Sequence, residues 1–306
     1  MQTTIHPSTS RPGTSPTGTT ASPSPAPRAS ASATAPIPRS LPLEPARALR
    51  AFVALAKDPD DLPQVFTILQ AMSGSAPLRL LKRFRATASG SALLEARTDI
   101  VELLADREAL RALPDGTLGR AYLDFVESEG ISAEGIRDAA ARSEDPSVTR
   151  PSDLDYLHAR MRDTHDLWHA ATGYRGDVLG EAALLAFILA QTWNGGVGII
   201  VALGLYKAQS SEARALILDG FLRGRRAAWL PAQPWEELLA LPLSVVRERL
   251  RLPEAPVYTP IRTSELRAQG LLLRPRARTR TRTAAPTADA DVTTRDARRC
   301  AARGDR

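Results

Sequence analysis

Every aromatic side chain of this 306-residue chain lies between Phe52 and Tyr258, so a substantial core can be built only there. Of the first forty residues, thirty are Ser, Thr, Pro or Ala, and none is aromatic or acidic. Such a segment cannot bury enough apolar surface to offset the entropy lost on ordering, and residues 1–44 are expected to be disordered. Charge divides the chain in the same way. Ten Arg and four Asp give residues 274–306 a charge of +6, three Arg give residues 1–40 a charge of +3, and the chain total of +6 leaves −3 for residues 41–273. The basicity belongs to the tails. Residues 259–306 read as a basic, largely disordered tail, whose run RARTRTRT from Arg276 to Thr283 has no interleaved aromatic and is a solvated segment, not a nucleic-acid site.

Between the tails, strand signals are nearly absent. No Asn-Gly or Asp-Gly turn joins alternating Val/Ile/Thr runs, and Ala, Leu, Arg and Glu dominate. The expected fold class is all-α: residues 45–258 form a single multi-helix domain, long enough to fold without disulfide or metal. Pro and Gly divide it into candidate helices at 45–57, 61–71, 76–87, 91–104, 106–112, 117–129, 132–142, 152–172, 178–192, 195–208, 210–228 and 242–251. No 30–50-residue period recurs, which excludes a solenoid. The lone Cys300 makes no internal disulfide, and a reducing cytoplasmic setting is the simpler reading. The start, MQTTIHPSTSRPG, lacks the apolar region of a secretory signal, and ten prolines before residue 46 oppose the amphipathic helix of a transit peptide. The most apolar stretch, Gly195 to Tyr206, has twelve residues, against the roughly twenty needed to cross a bilayer. The chain is expected to lie against a membrane and not to span one.

The segment from Ser152 to Gln191 carries the chemistry. Ser152 with Asp155 reads as a capping box and Gly173 as a C-terminal cap, so one helix is expected over about 153–172. His165 and His169 stand at i and i+4, one turn apart on one face, which is metal-ligand spacing. Asp166 is about 60° around the helix from His169 and can flank the same site as a ligand or as a hydrogen-bond acceptor for one. Residues 173–177 (GYRGD) make a short loop with Asp177 as N-cap, so the next helix returns antiparallel. Glu181 is four residues after that loop and His169 four before it, so the two face each other across a helical hairpin about 8–10 Å wide at its axes. This set suits Zn2+ first, with Fe2+ or Mn2+ as alternatives. Simpler roles exist for each member: an isolated H-x-x-x-H pair is often core or surface, Asp166 can pair with Arg162, and Glu181 can be a first-turn acid favoured by the helix dipole. His158, seven residues before His165, reads as structural. Ala182 to Ala190 are nine consecutive apolar residues, a helix apolar all round that serves as ordinary core or as the wall of a hydrophobic tunnel.

Written as a pattern, these residues are His-Asp-x-x-His, eleven residues, then Glu. The pattern resembles the signature of the Coq-four family of ubiquinone (coenzyme Q) biosynthesis, an all-helical family. The likeness extends through Lys57-Asp58-Pro59-Asp60-Asp61, LPDGTLGRAYLDF from Leu113 to Phe125, Gly180-Glu181, Gln191, Arg223-Gly224-Arg225, Trp235-Glu236 and LPLSVVRERL at 241–250, or roughly residues 45–256. It departs after Gly180-Glu181, where Leu184 to Ile188 stand in place of the lysine and further aromatic or acidic residues of eukaryotic members. The resemblance implies that His165, Asp166, His169 and Glu181 bind zinc and serve as the catalytic group. It implies a lyase reaction, removal of the aromatic carboxylate of a polyprenyl-hydroxybenzoate with hydroxylation of that ring carbon. Other implied partners are a membrane surface, further quinone-biosynthesis enzymes and a second copy of the chain. The implied location is peripheral on a membrane, cytoplasmic in a bacterium and on the mitochondrial inner membrane in a eukaryote. A non-enzymatic prenyl-lipid carrier or scaffold is the alternative, and a zinc hydrolase, suggested by the likeness of H-D-x-x-H to H-E-x-x-H, is a second.

Overall fold

Short polar side chains cap the starts of seven of the described helices. Thr87, Asp99, Asp106, Thr117, Asp177, Asn194 and Ser210 each accept a backbone N–H of the first turn, and Pro45, Pro63 and Pro77 occupy first-turn positions where no N–H is required. The computed structural model describes residues 40–58, 61–133, 135 and 152–268. Its helices are α1 Pro45–Lys57, α2 Leu62–Ala71, α3 Ala76–Arg85, α4 Ala88–Ala96, α5 Ile100–Ala105, α6 Arg107–Ala112, α7 Leu118–Glu129, α8 Ser152–Asp163, α9 His165–Thr172, α10 Val178–Thr192, α11 Gly195–Lys207, α12 Ser211–Arg226, α13 Trp235–Leu238, α14 Leu243–Leu250 and α15 Thr263–Ala268. Among the described residues there is no strand, only a single bridge between Thr117 and Pro242. The fold is all-α, as expected. The segment expected to be disordered before residue 40, most of the basic tail, nearly all of the helix at 132–142 and the Ser152 side chain of the capping box lie outside the described residues.

Two expected helices are divided. The one at 91–104 becomes α4 and α5, because Arg97 adopts a left-handed conformation (φ 53°) and Asp99 then caps a new start by accepting from Val101 N–H. The one at 152–172 breaks at Thr164 (φ −93°, ψ 0°). The Thr164 hydroxyl donates back to the Arg160 carbonyl at 2.8 Å, a bond that bends helices, and so it does not cap α9. Three short elements were not read from the sequence: a 3-10 turn at Leu230–Ala232, α13, whose Trp235 is fully buried, and α15, which lies in the tail expected to be largely disordered from residue 259.

Helix α10 is the central element. Gly220 and Gly224 of α12 lie so close to it that an added Cβ would fall 2.3 Å from the Ala183 carbonyl oxygen and 2.5 Å from that of Phe187. Only glycine permits that approach. Across α10, Phe187 meets Trp168 of α9 edge to face at 6.1 Å. The apolar run of α10 is thus largely occupied by helix packing: Ala183, Leu184, Ala186, Phe187 and Ala190 are all buried. Tyr122 and Leu123 of α7, Trp168 and Leu167 of α9, and Trp235 extend the same core. Burying each such side chain contributes about 1.5–3 kcal/mol, which is what holds α9 and α10 at a fixed separation.

Candidate metal centre

His165 is the first residue of α9 and His169 lies one turn on, their rings 4.9 Å apart at 70°. His169 is held on two sides. Its ring stacks on Phe125 of α7, with centroids 4.8 Å apart and planes at 13°. Its Nδ1 stands 3.0 Å from the Tyr174 carbonyl. A carbonyl can only accept, so Nδ1 carries the proton, and in the neutral ring Nε2 carries the lone pair. His165 follows the same logic. Its Nδ1 is 3.2 Å from the Asp166 carboxylate, which leaves its Nε2 free to coordinate.

Glu181 meets both rings from the first turn of α10. Its Oε1 is 3.1 Å from His169 Nε2 and its Oε2 is 3.8 Å from His165 Nε2. Asp177 sets this register: it caps α10, and its carbonyl accepts the Glu181 N–H at 2.8 Å. One ligand atom from each of His165, His169 and Glu181 lies within 4.8 Å of the others. The buried His169 Nε2 has no hydrogen-bond donor to satisfy it. A lone pair and a carboxylate oxygen face each other there, and only a proton or a cation between them makes the arrangement favourable. The electrostatics of the metal-free chain reflect this. Burial disfavours the charged form of His165, but the Asp166 hydrogen bond and the charges of Glu181 and Asp166 outweigh it, and the pKa is raised above the ordinary histidine value. Burial likewise opposes ionisation of Glu181, yet with a proton on His169 Nε2 the charge of that ring and the hydrogen bond it then donates, with the charge of His165, bring the Glu181 pKa down to about 2.

The donor set therefore fits a divalent cation. Two imidazoles and one carboxylate with a further position open match catalytic zinc, and the same set suits non-haem Fe2+. Glu181, its side chain 40% exposed, forms the open side. Of the four residues expected at the site, three converge. Asp166 instead bonds to His165 and orients it, as a carboxylate behind a ligating histidine does. The Arg162–Asp166 pairing considered above is not made, because Arg162 bonds to Asp163 at 2.8 Å. His158 on α8 is not part of the converging group. Phe125, the Tyr174 carbonyl and the Tyr258 hydroxyl, which bonds to Asp177 at 2.8 Å, complete the surroundings and were not singled out by sequence. Phe125 ends a segment quoted for its resemblance, which was the available signal.

Comparison with known proteins adds the family. The sequence profile described as coenzyme Q (ubiquinone) biosynthesis protein Coq4 matches residues 45–256. The chain belongs to that family. It is 30% identical over 225 residues to the ubiquinone biosynthesis protein COQ4 homolog, mitochondrial, of Danio rerio, covering 72% of this chain and 80% of that protein. It is also 30% identical over 177 residues to the Aspergillus niger ubiquinone biosynthesis protein coq4, mitochondrial, covering 57% of this chain and 59% of the relative. A crystal structure of a Nostoc punctiforme protein assigned to ubiquinone biosynthesis superposes with a TM-score of 0.51 at 26% identity, over 68% of this chain and 98% of that one. No helix of the described residues is long and apolar enough to cross a membrane.

Proposed function

We propose that this Coq4 protein is a metal-dependent carboxy-lyase of ubiquinone biosynthesis. In this reading it removes the aromatic carboxylate of a polyprenyl-hydroxybenzoate, and the vacated ring carbon becomes hydroxylated. The carrying observation is the unsatisfied His169 Nε2 facing the Glu181 carboxylate at 3.1 Å, in a chain whose relatives are named for ubiquinone biosynthesis. His165, His169 and Glu181 would hold the cation, zinc by its donor preference. Bound there, it supplies a Lewis acid that stabilises the charge left on the ring as carbon dioxide departs. The Asp166 carboxylate and Tyr174 carbonyl fix both imidazoles with Nε2 turned to the site, and the Phe125 ring shields His169 from water. Exchanging a carboxyl for a hydroxyl at a ring carbon removes two electrons, so the full reaction needs an external oxidant. A membrane surface is the proposed source of so apolar a substrate, and exposed Tyr206, Trp193, Leu218 and Leu222 support contact with one. Other quinone-pathway enzymes and a second copy of the chain are the remaining proposed partners. The proposed location is peripheral on a membrane, cytoplasmic in a bacterium and on the mitochondrial inner-membrane face in a eukaryote.

The test combines metal content with product analysis. Purified protein should hold about one zinc per chain, and His169→Ala or Glu181→Ala should lose most of it. Cells carrying only Glu181→Gln should accumulate the carboxylated precursor, since losing one placed electrostatic contact costs on the order of a hundredfold in rate. The same variant should bind a fluorescent prenyl analogue as tightly as the parent. Normal quinone levels with the metal demonstrably absent would remove the lyase reading and leave a prenyl-lipid carrier.

A further inference from the structure

Arg223-Gly224-Arg225 and Gln191 belong to the segments quoted above, yet only Arg223 lies near the metal centre's hairpin, donating to the Thr172 carbonyl at 3.0 Å. Gln191, Gly224 and Arg225 line a cavity of about 250 Å3 at the far end of α10. Ala190 and Gln191 are nine and ten residues beyond Glu181, about 14 Å along the helix axis at 1.5 Å per residue. The cavity is therefore separate from the metal centre. Gln191 frames it: its side-chain amide donates to the Gly224 carbonyl, its Oε1 accepts the Leu230 N–H at 2.9 Å, and its backbone carbonyl accepts the Trp229 indole N–H at 3.1 Å.

Two guanidinium groups enter this frame. Arg83 of α3 lies over the Trp229 ring at 4.2 Å, and Arg225 of α12 over the Trp193 ring at 5.9 Å. Among the described residues, neither makes an ion pair or a hydrogen bond, whereas Arg85 and Arg97 share Asp153 and Arg160 pairs with Glu236. No acidic residue lines the cavity. The C-terminal end of α10 brings about half a negative charge, which two full positive charges outweigh. The indole faces hold the guanidinium planes while leaving their N–H edges unused.

We propose that this cavity binds a phosphate group through Arg83 and Arg225. One guanidinium fork takes both oxygens of a carboxylate, whereas two forks need the three free oxygens of a phosphate. The volume is below the roughly 300–1,000 Å3 of sites for drug-sized molecules, which suits a phosphate and not a prenylated aromatic. The phosphate comes either free in solution or as a lipid headgroup. For the second source, Phe221 meets the half-exposed Trp193 edge to face at 5.9 Å, and the exposed Leu222 is its neighbour in sequence.

Because Trp193 and Trp229 form the walls, tryptophan emission of the full-length protein reads occupancy directly. Titration with inorganic phosphate should give a saturable change, with affinity lowered tenfold or more in Arg83→Gln and in Arg225→Gln. Both residues are exposed, so both variants should keep the parent's circular dichroism and melting. Arg83→Lys and Arg225→Lys, which keep the charge without the fork, should lie between. Arg214→Gln, exposed near the start of α12, should bind as the parent does. The lipid arm uses phosphatidylcholine vesicles with and without phosphatidic acid. Saturation by inorganic phosphate assigns a free-phosphate site. Phosphatidic-acid-dependent sedimentation that both glutamine variants abolish, without a response to inorganic phosphate, assigns a headgroup site. A response in neither arm, equal loss in Arg214→Gln, or tighter binding of benzoate than of phosphate overturns the proposal.

Discussion

Asp177 joins the fold to the metal centre, and replacing it measures that link. The residue is 2% exposed. Oδ1 accepts from the N–H groups of Leu179 (3.0 Å), Gly180 (3.3 Å) and Ile261 (2.9 Å), and Oδ2 accepts from the Tyr258 hydroxyl. In Asp177→Ala the helix loses its cap, at about 0.5–2 kcal/mol. The Ile261 N–H and Tyr258 O–H are left without an acceptor, at about 1–3 kcal/mol each where water cannot reach them. Tyr258 is half-buried, so water recovers part of that cost, and the expected loss is about 3–5 kcal/mol. Asp177→Asn should cost less. It keeps the Oδ1 acceptor and so the cap, but turns an amide donor toward a hydroxyl that already accepts from the Arg175 N–H at 2.9 Å. Its expected cost is about 1–3 kcal/mol. Urea unfolding with metal chelated gives both values, and competition against a chromophoric chelator gives zinc affinity. Zinc affinity should fall in the same order, since the Asp177 side chain caps the first turn of α10, which carries Glu181. A loss below ~1 kcal/mol in the alanine variant, or equal losses in the two variants, would refute this account of the hairpin.

Three further expectations follow from the same geometry. In the metal-free chain, the raised His165 pKa contributes stability that is present below about pH 6.5 and lost as pH rises through the raised value. The lowered Glu181 pKa contributes stability that is present above about pH 4.5 and lost as pH falls toward about 2. Denaturation midpoints of the metal-free protein should therefore show this contribution between about pH 4.5 and 6.5, and Glu181→Gln should flatten it, whereas zinc binding should weaken on acidification as protons compete with the cation for its ligand atoms. Gly220→Ala and Gly224→Ala should each destabilise by about 1–3 kcal/mol or more, because the new methyl meets backbone that cannot turn aside, and thermal melting checks this. A chain truncated to residues 40–268, which keeps every described helix, should melt as cooperatively as the full chain; an aggregating product would show that the fold depends on residues outside that range.

Several features of the site were legible without coordinates because their cause is local. The 100° step of a helix places His165 and His169 on one face wherever that helix goes. The GYRGD loop with Asp177 as its cap makes the return antiparallel, and counting four residues to either side brings Glu181 against His169; the structure puts their atoms 3.1 Å apart. Thr164 was not legible in the same way. Threonine is tolerated inside helices, and nothing nearby in sequence shows that its hydroxyl will turn back onto the Arg160 carbonyl and break the helix one residue before His165. The role of Asp166 also escaped, since a 60° offset admits both a ligand and an orienting acceptor until the side chain is placed.

The sequence by itself determined the helical class, the hairpin, the candidate group of His165, His169 and Glu181 and the confinement of aromatic residues to 52–258. Each follows from periodicity, capping and composition, which act over a few residues. Tertiary structure alone decided which nitrogen of His169 faces Glu181, because that depends on the Tyr174 carbonyl and on the Phe125 ring from a helix some forty residues earlier. It alone brought Arg83 and Arg225, from α3 and α12, into one cavity. Contacts between distant segments are set by how whole helices pack, through close approaches such as Gly220 on Ala183, and no local pattern encodes the side chains that such packing places together.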